Sequence, residues 1–130
     1  MSRLSSFLKE NVGEVESTKD VTISERFSEP CQIKLLTPKE YNKIQDMSTQ
    51  IIGKKPVFST TTYNFELVKA SLVEPDLSNS DLQDSYGAMG EDDLLNIMFT
   101  GAEFNNLVLA VNEFNGITKS TEEKLEEAKN

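Results

Sequence analysis

Apolar residues at Leu4, Phe7, Leu8 and Val12 fall at i, i+3, i+4 and i+8, which lines them along one side of a short helix that Gly13 ends. The following EVESTKD has no period and forms a connector. In VTISERF (21–27), Val21, Ile23 and Glu25 alternate with Thr22 and Ser24. After the turn SEP, CQIKLLT puts Ile33 and Leu35 on one face, so the pair predicts a small β-hairpin. Pro30 falls in the turn, where its missing N–H removes no ladder bond. Pro38 behind Thr37 has the form of an N1 proline after a Thr cap and predicts a helix start.

That helix, PKEYNKIQDMSTQII (38–52), carries Tyr41, Ile44, Met47 or Ser48, and Ile51 at helical spacing, and Gly53 with Lys54 and Lys55 stops it. After an extended KPVFSTT, a second helix is predicted over TYNFELVKASLV (62–73). Its apolar residues, Tyr63, Leu67 and Ala70 with Phe65, Val68 and Leu72, surround it and suit a central position. Glu74-Pro75 breaks it.

The stretch VEPDLSNSDLQDSYGAMGEDDLL (73–95) gathers the residue types of a calcium loop. Counted from Asp76, however, positions three and five are Ser78 and Ser80, the sixth is Asp81 where Gly belongs, and the twelfth is Gly87 rather than Glu. A phosphate cradle fails too, because GAMGEDD offers no Lys and sets three acids where an anion would sit. Capping accounts for the stretch instead. Asn79 or Ser80 caps a short helix ended by Gly87, and Gly90 with Glu91, Asp92 and Asp93 starts another. Leu77, Leu82, Tyr86 and Met89 are then packing residues between the caps. Thr100-Gly101 leads into a last helix whose stripe is Phe104, Leu107, Val108, Val111 and Phe114, ended by Gly116. In TKSTEEKLEEAKN a cap at Ser120 or Thr121 is followed by one large apolar residue, Leu125, so this end is expected to fray or hang free.

The reading is an α+β fold, mainly α-helical, with a small N-terminal β-hairpin packed on a bundle of four to five short helices. Residues 1–19 are an N-terminal helix and linker, 20–117 a single globular domain, and 118–130 a charged C-terminal tail. With 130 residues, 37% of them hydrophobic, the chain suits one modest core. No apolar run approaches the roughly 20 residues of a membrane span, and MSRLSSFLKENV has no signal-peptide core. Cys31 stands alone, so no internal disulfide forms, and a structural zinc site lacks ligands; a reducing cytosol is expected.

Charge sharpens the picture, because no basic residue occurs between Lys69 and Lys119, while nine acids do. The other 13 acids balance the 13 bases, so the net charge of −9 resides in that segment. Such a surface repels nucleic acid and anionic lipid and attracts basic proteins. Its plainest role is solubility. Enzyme chemistry is disfavoured: the chain has no His, no metal or nucleotide motif stands, and Asp92 and Asp93 point apart on a helix. No cofactor or metal is expected. Met47, Met89 and Met98 suit either ordinary core packing, the commoner role, or an adaptable surface. The apolar helices between Leu94 and Phe114 are numerous for so small a core. Leu94, Met98, Phe104 and Val108 of these helices, with Leu4, Phe7 and Leu8 of the N-terminal segment, to which the linker gives reach, are the candidate protein-interaction residues, and self-association into a homo-oligomer is expected.

The run from VEPDL through LQDSYGAMG and the following helix pair resembles the XkdN-like tail assembly chaperones of phages and phage-derived particles with contractile tails. SSFLKENV, VTISERF, IKLLTPKE and LEEAKN also look like that family, in matching order. The turn FSEPCQIK departs from it, since a longer, Gly-containing loop would be usual. The resemblance implies a chaperone that binds the tape measure protein in the cytoplasm of the bacterial host and keeps it soluble while the tail tube assembles around it. It further implies absence from the mature particle, with the tail tube protein as a further candidate partner. A structural tail-tube or baseplate accessory protein of the virion is the alternative, and composition does not separate the two.

Overall fold

The computed structural model describes residues 2–117; the expected C-terminal tail, with its cap at Ser120 or Thr121, lies outside them. The chain opens with two single 3-10 turns, Ser5–Phe7 and Lys9–Asn11, separated by an extended Leu8. The single amphipathic helix expected there is thus replaced by short turns, since so short a segment has no packed partner to repay helix nucleation. Strands β1 (Thr18–Val21) and β2 (Cys31–Lys34) pair antiparallel from Thr18↔Lys34 to Val21↔Cys31. The hairpin exists, but its first strand begins earlier than VTISERF. The ladder ends at Val21; beyond it Ile23 is buried and Arg26 is held by Glu103 and the Met98 carbonyl.

Helix α1 (Pro38–Ser48) starts in a capping box, in which Thr37 Oγ1 accepts from the Glu40 N–H while the Glu40 carboxylate accepts from the Thr37 N–H. It ends four residues before the sequence pattern suggested. Thr49–Ile52 (β3) and Lys55–Phe58 (β4) form a second antiparallel hairpin, turned by Gly53 and Lys54 with φ of 58° and 69°. Positive φ at both central residues is the two-residue hairpin turn whose twist suits the strands. Helix α2 (Thr60–Ser71) is capped by Ser59 and stops before Glu74-Pro75, because Leu72–Glu74 becomes a third strand, β5, beside β2. The sheet order is β1-β2-β5. Ser71 Oγ donates to the Lys34 carbonyl at 2.7 Å, fastening the end of α2 to β2.

The 73–95 stretch is helix punctuation. Asn79 Oδ1 accepts from the Leu82 N–H at 2.9 Å and starts α3 (Ser80–Ser85). Gly87, at φ +67°, then turns the chain so that the Ala88 N–H reaches the Gln83 carbonyl at 2.8 Å. A Cβ at Gly87 would meet nothing within 4 Å, so Gly87→Val is strained by its backbone alone. It is expected to cost about 1–2 kcal/mol or somewhat more, read as a lowered denaturant midpoint. Gly90 precedes α4 (Glu91–Met98), and Asp93 reaches back to accept from the Met89 N–H at 2.8 Å. Met89 itself is 92% exposed, so it is not the packing residue its position suggested. Leu77 is buried, and Leu82 and Tyr86 pack against the core.

Helix α5 (Gly101–Phe114) begins in a second capping box, Thr100 with Glu103, and the α4–α5 pair bends by 113°. No single helix among the described residues is long and apolar enough to cross a membrane. Leu67, Val68, Leu94, Leu95, Leu107 and Val111 join Ile33 and Ile44 in one core between the helices and the three-stranded sheet. The architecture is α+β and mainly helical.

Candidate protein-interaction surfaces

The region best fixed by electrostatics is the joint between the 22–30 loop and the α4–α5 corner. The Glu103 carboxylate is buried. It accepts from Arg26 Nη2 at 2.6 Å and Nε at 3.0 Å, and from the Thr100 N–H at 2.8 Å. Arg26 also donates to the Met98 carbonyl at 2.8 Å and lies over the Phe27 ring. Asn106 adds a bond to the Ile23 carbonyl. Hydrogen bonds from Arg26, then from the Thr100 backbone, pull the Glu103 pKa from 4.5 to about 2. A carboxylate depressed on folding contributes stability that is whole above the unfolded value and fades as pH falls through the folded one. Melting temperature should therefore drop between pH 4.5 and pH 2 in the native chain, and less steeply over that window in Glu103→Gln.

Beside this joint, Asp20, Glu29, Gln32, Glu74, Pro75 and Met98 line part of a cavity of about 580 Å³. Its rim is acidic, and its one cation, Arg26, is already committed to Glu103. Cys31 borders it, but burial raises that thiol's pKa, the opposite of what a nucleophile needs. The Tyr63 hydroxyl, donating to Tyr41 at 3.1 Å, is likewise pushed up by burial and by Tyr41. Among the described residues no group of three or more His, Cys, Asp or Glu is placed to hold a metal. Lys69 ties α2 to the start of α4, 2.8 Å from Asp92 and 3.5 Å from Glu66.

The interaction candidates divide. Leu4 (75% exposed), Phe7 (72%) and Leu8 (46%) lie open on the N-terminal turns, together with Val12 and Val15. Leu94, Met98 and Val108 belong to the core, and Phe104 is half-buried in contact with Phe65. Leu94 and Met98 on α4, and Phe104 and Val108 on α5, are turned toward the core, which corrects the expectation that they face a partner. The sequence reading missed two features. One is the apolar exposure of Ile51, Ile52 and Val57 on the β3–β4 hairpin. The other is the Arg26–Glu103 joint, of which only the T-G-A-E capping box was visible in the sequence.

The chain is thus a small, mainly helical α+β scaffold with apolar residues exposed on its N-terminal turns and on the β3–β4 hairpin. More particularly, the family described as phage XkdN-like tail assembly chaperone protein matches residues 4–129, and the chain belongs to that family. Among solved structures, the crystal structure of the protein yqbn is similar with a TM-score of 0.69 and 18% identity, covering 89% of this chain and 98% of that one. At that identity the likeness shows the fold. No curated protein matches the chain.

Proposed function

We propose that this tail assembly chaperone binds the tape measure protein in the cytoplasm of the bacterial host, keeps it soluble until the tail tube polymerises around it, and is left out of the finished particle. It does so by binding, without a covalent step. The observation that carries the reading is family membership over nearly the whole chain. The geometry supports it with an N-terminal segment whose Leu4, Phe7 and Leu8 are exposed, apolar and outside the core. A long helical client presents amphipathic faces, and a segment that orders on such a face supplies the complementary surface. The acidic helices meanwhile hold the complex in solution.

Mass spectrometry tests both halves of this reading. Immunoprecipitation of the chain during assembly should recover the tape measure protein, while purified particles should contain no peptides of the chain. Its presence in particles at stoichiometric level would identify a tail-tube or baseplate component instead.

A further inference from the structure

The β3–β4 hairpin is built to be covered. The register Thr49↔Phe58, Gln50↔Val57, Ile51↔Pro56 and Ile52↔Lys55 puts Ile51 with Pro56 on one face and Ile52 with Val57 near the tip on the other. Ile51 is 71% exposed, Ile52 58% and Val57 44%. Apolar residues therefore face water on both sides of a sheet of only two strands, an arrangement of marginal stability on its own. Strand addition at its edges is discouraged by Pro56, which has no N–H, and by the adjacent Lys54 and Lys55. Its faces are the contact surface.

Charge selects the occupant. Residues 49–58 contain two lysines and no acid, whereas the net −9 of the chain resides between Lys69 and Lys119. Within that acidic segment Met89 (92%) and Ile97 (47%) are exposed, as are Asp81 and Asp84 on α3. Asp93 and Ile97, four residues apart, share one side of α4, and the Asp93 carboxylate holds the Met89 N–H at the helix start. One surface is apolar and basic; the other is apolar and acidic. We propose that the hairpin of one copy docks on the α3–α4 corner of a second copy.

The two surfaces come from different parts of the chain, so the contact is head-to-tail and each pair keeps a free hairpin and a free corner. Average mass should then climb with concentration, and rising salt should lower it, because the attraction between exposed charges is screened. This inference stands apart from client binding: a chain could hold the tape measure protein as a monomer.

Light scattering coupled to size exclusion, at about 50 and 500 mM salt, tests it with the native chain and three variants. Lys54→Glu/Lys55→Glu should shift the native chain's assemblies to monomer, and so should Asp81→Lys/Asp84→Lys. An equimolar mixture of the two should recover assembly, because each tip then meets a corner of opposite charge. Ile51→Ser/Ile52→Ser, whose sites are solvent-exposed, should also be monomeric with an unchanged melting temperature. A native chain that is monomeric at every concentration would overturn the proposal. So would assemblies that survive the lysine and isoleucine replacements, or a mixture that stays monomeric. If the lysine variant keeps the native mass but loses the tape measure protein on co-expression, the hairpin is a client contact and the proposal is wrong.

Discussion

Leu94→Ala is expected to destabilise the chain by about 2–5 kcal/mol. The side chain is fully buried on α4 within the cluster that includes Leu67, Leu95 and Leu107. Truncation removes its transfer free energy and leaves a cavity that helices pinned at both ends cannot close. Thr100 and Glu103 cap the next helix, and Lys69 holds the α4 N-terminus, so collapse is resisted. For a domain of this size each kcal/mol lowers the melting temperature by about 4–8 °C, so a fall of at least about 10 °C is the result to look for. Client binding measured below that melting temperature should be nearly intact. A melting temperature within a few degrees of native, together with lost client binding, would return Leu94 to an interaction surface.

Removal of residues 2–12 is expected to do the reverse. The two 3-10 turns contribute no buried residue, and Leu4, Phe7, Leu8 and Val12 are all exposed. The fold should lose little, with a melting temperature within about 4 °C of native, since surface changes away from core features cost within about 0.5 kcal/mol. Client retention should fall steeply, because three large apolar anchors leave at once and anchors of that kind dominate interface energies. The pair of measurements separates fold from function: a large loss of stability on deletion would show that the segment packs on its own domain.

These contrasting outcomes also show where the sequence was legible. Caps were readable because they are local: Thr37 before Pro38 and Asn79 three residues before Leu82 operate within one turn of chain. The buried stripe of α5 was readable because Leu107 and Val111 keep helical period. The β3–β4 hairpin was lost because Ile51 also fits the α1 period. What ends the helix is tertiary and local together: Ser48 Oγ turns back on the Ile44 carbonyl at 2.6 Å, and the Ser59 N–H bonds the Ser48 carbonyl. The signal that could have found it was the β-branched run TQII and the extended KPVF, separated by the two residues Gly53-Lys54.

Strand β5 was unreadable for a different reason. Three residues carry no period, and its existence depends on Gln32 and Ile33 forty positions earlier in the chain, to which it pairs. The Arg26–Glu103 joint is longer still in sequence, and it draws the chain away from the sheet beyond the end of the first strand at Val21. For the candidate site the limit was directional. Period shows that Leu94, Met98, Phe104 and Val108 share apolar faces, but only packing shows that those faces are already occupied.

In the proposed function this chain keeps a tape measure protein in solution. The most direct test is the soluble fraction of that protein after expression alone, with this chain, and with the chain lacking residues 2–12. The account predicts a largely insoluble tape measure protein alone, a largely soluble one beside the full chain, and a return toward insolubility beside the truncated chain. An equal soluble fraction with and without the full chain would contradict it.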